Sequence, residues 1–109
     1  MNQERYELIG LTLSKEYGTT MSKMFGKPCL KFGKKAFALF FKDDMVFKLG
    51  KEDVAYLMAN EYSKATIWDP SGKNKPMTGW LQVPGDYGDD WEGLARHALE
   101  FVKATEELA

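Results

Sequence analysis

The fold is decided by residues 24–49, which read MFGKPCLKFGKKAFALFFKDDMVFKL. Apolar runs at 27–32, 36–41 and 45–49 are separated by short segments rich in glycine, lysine and aspartate, a pattern that predicts three consecutive strands. Turns are expected at 33–35 and 42–44. Because hairpin connections this short join antiparallel neighbours, we expect a mostly antiparallel sheet.

The flanking sequence predicts helices and two further strands. Apolar residues at helical spacing predict helices at 2–17, 51–62 and 90–107, and residues 65–68 and 78–84 read as strands. Residues 19–26 are interpreted as a linker, with an extended start as one option. The predicted fold is α+β, with the order α-β-β-β-α-β-β-α, a mostly antiparallel five-stranded sheet and a layer of helices. We expect one domain over residues 1–109.

Composition narrows the function classes. The net charge of −1 gives no general attraction to nucleic acid or membrane. No apolar run is long enough to cross a bilayer, and residues 1–7 do not resemble a signal segment. The single cysteine allows no intrachain disulfide. We therefore expect a cytoplasmic protein without a membrane contact.

Charge is unevenly distributed along the chain. Residues 20–51 contain eight lysines and two aspartates, whereas residues 56–109 contain five basic and nine acidic residues. This asymmetry favours either head-to-tail self-contact or an anionic partner. The alternative is that the lysines only protect strand edges from aggregation.

The second predicted strand is apolar on both faces, whereas a strand covered on one side alternates apolar and polar residues. With a two-residue turn at 42–43, the strands at 36–41 and 45–49 present two apolar faces: Ala38, Phe40, Met45 and Phe47 on one, and Phe37, Leu39, Phe41 and Val46 on the other. Either self-association or a ligand buries part of the outer face, or the first helix or a loop covers it.

No catalytic or metal-binding arrangement is evident. Cys29 and His97 are the only cysteine and histidine, they lie on different predicted elements, and no third residue is marked to orient them. The segment at 26–35 lacks the spacing of a phosphate-binding loop. The sequence therefore predicts no enzyme activity, no cofactor and no metal.

Two segments are candidates for binding. Lysines alternate with aromatic residues near the first strand, where phosphates and bases could be contacted; the candidate residues are Phe25, Lys27, Lys31, Lys34 and Lys35. The second segment is the loop at 69–77, where Trp68, Met77 and Trp80 are candidates for protein contacts. The alternative for the two tryptophans is that they anchor their hairpin to the core.

Two separated motifs carry a resemblance to a known family. MFG at 24–26 with KAFAL at 35–39, and WDPSGKNKPM at 68–77 followed by GWLQVP at 79–84, resemble the N-terminal domain of the TfoX/Sxy competence regulators over about residues 20–105. FGKP at 25–28 is also similar to the MmcQ/YjbR group, whose members are often described as DNA-binding. The resemblance implies the two-layer fold shared with type III secretion chaperones, which bind peptides. It differs in having Gly26-Lys27 where a Gly-Gly pair is usual.

The leading hypothesis is a non-enzymatic binding or regulatory module that acts through protein contacts or self-association as a homodimer. The first alternative is a nucleic-acid-associated transcriptional regulator that uses the lysines between residues 23 and 35. The second is a small enzyme, which would need Cys29 or His97 in a pocket with a strongly perturbed pKa.

Overall fold

The computed structural model describes residues 2–108, and the side chains of residues 2–105. The elements in chain order are α1 (Asn2–Tyr17), β1 (Thr20–Met24), β2 (Lys27–Phe32), β3 (Lys35–Phe41), β4 (Asp44–Lys48), α2 (Lys51–Asn60), β5 (Thr66–Trp68), β6 (Met77–Val83), a 3₁₀ segment (Gly85–Asp90) and α3 (Trp91–Leu108).

The α+β class and the antiparallel sheet are confirmed, but the sheet has six strands rather than the predicted five. The strand order is β1-β2-β3-β4-β6-β5, and every neighbouring pair is antiparallel. The helices pack on one face, with α3 against β3 and β4, α2 against β6, and α1 beside β1.

The additional strand, β1, lies in the segment that was interpreted as a linker. It pairs with β2 through a two-residue turn at Phe25 and Gly26, whose φ angles are 54° and 76°. Positive φ at both positions is typical of a type I′ hairpin turn, for which Asn-Gly is the usual sequence. Phenylalanine at the first position hides this turn from sequence reasoning.

The predicted turn at 42–44 is shorter by one residue, because Asp44 already belongs to β4; the turn has the two residues assumed in assigning the faces. Phe41 pairs with Asp44, and Lys42 and Asp43 both have positive φ. The turn fixes the register so that Leu39 faces Val46 on the outer side of the sheet, which agrees with the predicted faces.

The predicted position of Phe37 on the outer face is wrong. Ala38 lies opposite Leu30, and Ala36 lies opposite Lys31, so Phe37 is an extra residue in β3. Such a β-bulge places two consecutive residues on nearly the same side of the sheet. Phe37 and Ala38 therefore both join the core beneath the helices.

That core contains the inward faces of the strands and the apolar stripes of the helices. Its largest fully buried side chains include Tyr6, Phe37, Phe47 and Trp91. α1 approaches the sheet closely at Gly10, where an added Cβ would lie 2.9 Å from Cε of Met21 and 3.0 Å from Cδ2 of Leu30. A glycine that weakens the helix thus allows it to pack against β1 and β2.

The outer face of the sheet has a second apolar core of its own. Its buried members are Cys29, Leu39, Phe41, Val46, Trp68 and Trp80. The ring centroid of Trp68 lies 5.7 Å from that of Phe41 and 5.5 Å from that of Trp80. No described helix residue belongs to this cluster, so the large side chains of the sheet bury one another.

This second core resolves the question of the apolar outer face. Leu39 and Val46 have no exposed surface in the isolated chain. The expectation that a second copy or a ligand buries these residues is therefore wrong, and so is the alternative that the first helix covers them. For the alternative of a loop, Trp68 and Met77, on either side of the loop at 69–76, belong to or pack against the cluster. Across residues 2–108, no helix is long and apolar enough to cross a membrane.

Candidate functional site

The two edges of the sheet differ in how well they are protected. At one edge, β5 has only three residues, its pairing with β6 is irregular between Ile67 and Trp68, and Pro70 follows shortly after. At the other edge, β1 has five residues in regular register with β2. Short strands, irregular pairing and proline block edge-to-edge pairing, so among the strands of residues 2–108 only β1 presents a regular open edge.

The hairpin geometry determines which backbone groups of β1 face outward. Residues that flank a two-residue turn form a hydrogen-bonded pair, here Met24 with Lys27, and such pairs alternate along the strands. The N–H and C=O groups of Met21 and Lys23 therefore point away from β2, towards the open edge. Pro28, opposite Lys23, has no N–H, and its pair with Lys23 is one that exchanges no hydrogen bonds with β1.

A groove runs beside this edge, between α1 and β1. Its volume is about 450 Å³, and its lining residues are Gln3, Tyr6, Glu7, Met21, Ser22, Lys23 and Pro28. Met21 is 43% exposed although it also packs against Gly10. The groove thus combines apolar side chains with one acidic and one basic group.

Two buried hydroxyl groups at the junction of α1 and β1 have no hydrogen-bond partner among the described residues. They belong to Tyr6, which lines the groove, and to Thr19, which immediately precedes β1. Burial raises the pKa of the Tyr6 hydroxyl above its ordinary value, and the nearby Cys29 and Glu7 raise it further. The Tyr6 hydroxyl therefore remains protonated, and a protonated hydroxyl can both donate and accept a hydrogen bond.

Phe25, one of the predicted binding residues, stands at the tip of the β1–β2 hairpin and is 73% exposed. Its φ of 54° is unusual for a bulky residue that is not glycine. A strained backbone combined with an exposed aromatic ring makes Phe25 a candidate contact residue.

The predicted lysines do not form one patch. Lys27 and Lys31 lie on the outer face, because they pair with Met24 and with Ala36, which pack against the outer core. Lys34 is exposed at the β2–β3 turn, and Lys35 pairs with Phe32, which packs against the helix-side core.

Two lysines outside the predicted segment join the outer face instead. Nζ of Lys42 lies 5.3 Å from the ring centroid of Phe41, and Nζ of Lys27 lies 5.2 Å from the same centroid. Nζ of Lys48 lies 5.8 Å from the ring centroid of Trp80. The outer face therefore carries lysines around a buried aromatic cluster.

The tryptophans predicted for protein contacts lie in the outer core. Trp68 has no exposed surface, Trp80 is buried, and Met77 is half-buried beside them. These positions agree with the alternative that the tryptophans anchor their hairpin to the core.

Cys29 and His97 are not brought together. Cys29 is buried in the outer core, where burial raises the pKa of its thiol although Lys31 acts in the opposite direction. His97 is exposed on α3, across the sheet, and its Nε2 lies 2.9 Å from Oδ2 of Asp53 on α2. Residues 2–105 contain no group of three or more acidic, cysteine or histidine side chains that could hold a metal ion.

Met21, Ser22, Tyr6 and Glu7 are site residues that sequence reasoning missed. Predicting that these residues form one site requires recognising β1 as a strand. Thr19 and Thr20 are β-branched residues that favour strands, and they are the only local signal in the sequence.

Comparisons with protein-family models, with curated proteins and with solved structures found no significant match. The resemblance to the TfoX/Sxy N-terminal domain therefore remains a prediction from two motifs.

Proposed function

We propose that this chain is a non-enzymatic binding module that receives an extended segment of a protein partner as an additional strand beside β1. The observation that carries this proposal is the regular open edge at Met21 and Lys23, bordered by the groove under α1. A fold like that of the TfoX N-terminal domain is part of the proposal.

Strand addition supplies affinity and specificity from different groups. Each backbone hydrogen bond contributes a net of about 0.5–1.5 kcal/mol, and the open edge presents the donors and acceptors of two residues. Side chains of the added strand that point towards the helices enter the groove, where Met21 offers apolar contact and Glu7 and Lys23 offer charge. An extended segment with alternating apolar and charged side chains fits this arrangement.

A non-enzymatic role has separate support. The thiol of Cys29 is buried with a raised pKa, and His97 lies across the sheet and pairs with Asp53. A buried, protonated thiol is a poor nucleophile.

Selection from a display library of random extended peptides tests the proposal. Lys23→Pro removes the outward N–H of residue 23, and proline is tolerated on edge strands where that group faces outward. Lys23→Ala is the matched control, because it removes the same charge and keeps the N–H. We expect peptides selected on the wild type to bind Lys23→Pro at least tenfold more weakly than Lys23→Ala, because both variants lose the lysine charge and only Lys23→Pro loses the N–H. Equal binding to both variants would contradict strand addition at β1.

A second candidate, nucleic-acid binding, is favoured by the lysines on the outer face. Lys27, Lys31, Lys42 and Lys48 are on or beside one side of the sheet, and lysines that neutralise phosphates provide sequence-independent affinity. The buried state of Trp68 and Trp80 argues against base stacking on these rings.

Binding to duplex DNA at low and high salt tests this candidate. Binding that weakens steeply with salt, and that is lost in Lys31→Gln with Lys48→Gln but retained in Lys34→Gln with Lys35→Gln, would support the outer face. No binding at low salt would exclude the candidate.

A further inference from the structure

We infer, on the basis of the proposed function, that the strand received by β1 is β1 of a second copy of this chain, arranged about a two-fold axis at Ser22. The open backbone groups of Met21 and Lys23 are separated by one residue. In an antiparallel pair centred on Ser22, Met21 of each copy lies opposite Lys23 of the other, and each pair exchanges both of its N–H···O bonds.

This register is the one that uses every outward group. A shift by one residue would place the outward groups of one copy opposite groups of the other copy that already bond to its own β2. A shift by two residues would pair Met21 with Met21, or Lys23 with Lys23, and the other outward residue would then have no partner within β1. The strand is therefore complementary to itself in a single register.

The side chains fit the same register. On the helix side, Lys23 of the second copy lies beside Met21, in the groove that Glu7 also lines, so a basic group enters a site with an acidic one. On the outer side, Ser22 faces its own copy, and Thr20 faces Met24. Like charges directly opposite each other are destabilising, and this register has none within β1.

The hairpin tip also gains a contact in this arrangement. Two positions beyond Lys23, Phe25 with its exposed ring lies opposite Thr19 of the second copy, the residue immediately before β1, whose buried hydroxyl makes no hydrogen bond to the described residues. The strained and exposed phenylalanine would therefore be covered at the end of the shared ladder.

The protected edge explains why pairing would stop at two copies. Once the β1 strands pair, the outer strands of the joined sheet are the two copies of β5, which are short and irregularly paired. The contact uses the same surface on both copies, so the assembly closes as a two-fold dimer.

Sedimentation velocity from low to high micromolar concentration tests the inference on the intact chain. We expect the wild type to shift from monomer to dimer as concentration rises, and Lys23→Ala to do so at a higher concentration because it loses the lysine contact near Glu7. Lys23→Pro should remain monomeric. A wild type that stays monomeric throughout, or a Lys23→Pro variant that still dimerises, would overturn the inference.

Cysteine cross-linking tests the register. Ser22→Cys is combined with Cys29→Ala, because residue 22 pairs with Cys29 and could otherwise form a disulfide within one copy. Residue 22 would face its own copy in a non-hydrogen-bonded pair with Cα atoms about 4.5 Å apart, which is within the range of a disulfide. We expect covalent dimers on mild oxidation, and none for Leu8→Cys in the same background, since Leu8 is exposed on α1. Cross-linking through residue 8 but not 22 would overturn the inference.

The two proposals fail in distinguishable ways. If the wild type is monomeric but binding of the selected peptides still depends on the N–H of residue 23, the inference of a second copy is overturned and strand addition is retained. A monomer whose peptides bind Lys23→Pro and Lys23→Ala equally would overturn both.

Discussion

Gly10 of α1 and Met21 of β1 are in direct contact, and this contact sets the distance between the first helix and the open edge. A Cβ on Gly10 would lie 2.9 Å from Cε and 3.1 Å from Sδ of Met21. Because Met21 also lines the groove, the position of α1 and the shape of the candidate site are linked.

The first prediction concerns this contact. Alanine is favoured over glycine in helices by about 1 kcal/mol, but Gly10→Ala must displace Met21, so we expect little net stabilisation in the wild type. In a Met21→Ala background only the contact with Cδ2 of Leu30 remains, so the same substitution should be more favourable than in the wild type, by up to about 1 kcal/mol. Chemical denaturation of the four variants gives the coupling, and additive effects would contradict the contact.

The second prediction concerns strain at the hairpin tip. Phe25→Asn creates the Asn-Gly sequence preferred for this turn, and relief of the positive φ should stabilise the fold by about 1 kcal/mol. The substitution should also weaken dimerisation, because it removes the exposed ring. Urea denaturation and sedimentation measure the two effects; a loss of stability would show that the phenylalanine is favourable within the isolated chain.

The third prediction concerns the outer core. Trp68→Ala removes a ring that packs against Phe41 and Trp80, and we expect a loss of about 3–5 kcal/mol. Thr66→Ala on the same strand is the control, since Thr66 is exposed, and it should change stability by less than about 0.5 kcal/mol. Increased binding of a hydrophobic dye by Trp68→Ala would report the opened outer face. A small effect of Trp68→Ala would contradict a core on that side.

The fourth prediction concerns the loss of stability in acid from the ion pair between Glu16 and Arg96. Nη1 and Nη2 of Arg96 lie 2.8 Å and 3.1 Å from the two carboxylate oxygens of Glu16, joining α1 to α3. These hydrogen bonds lower the pKa of Glu16 below its ordinary value of 4.5. The stabilisation is therefore present above pH 4.5 and is lost as pH falls through the lower pKa of the folded state.

Glu16→Gln should consequently be less stable than the wild type at neutral pH, and this difference should shrink in acid. Thermal unfolding followed from neutral to acid pH measures the effect. A constant difference between Glu16→Gln and the wild type would contradict the ion pair.

Much of the fold could be predicted from local patterns. The apolar stripes predict helices at 2–17 and 90–107, and α1 and α3 differ from these ranges by at most one residue. The turn predicted at 42–44 differs from the observed turn at 42–43 by one residue. The bulge at Phe37 could not be predicted, because the mismatch with β2 involves only one residue and leaves no signal in β3 itself. The burial of Trp68 depends on contacts between distant strands, which periodicity does not report.

The candidate site could be predicted only in part. Phe25 was expected to be available for binding, and it is exposed. The open edge was missed because Phe25 replaces the residue typical of its turn, so the strand before it was interpreted as a linker. The predicted lysine patch rests on closeness in sequence, whereas successive residues of a strand point to opposite faces of the sheet, so the lysines lie on different sides.

Amide hydrogen exchange along β1 tests most directly whether this edge is open to a partner strand. In dilute protein we expect fast exchange at Met21 and Lys23 and slow exchange at Ser22 and Met24, whose N–H groups bond to β2. At high concentration, protection should appear at Met21 and Lys23. Protection of these two amides in the dilute monomer would contradict the account, because the chain itself would then already occupy the edge.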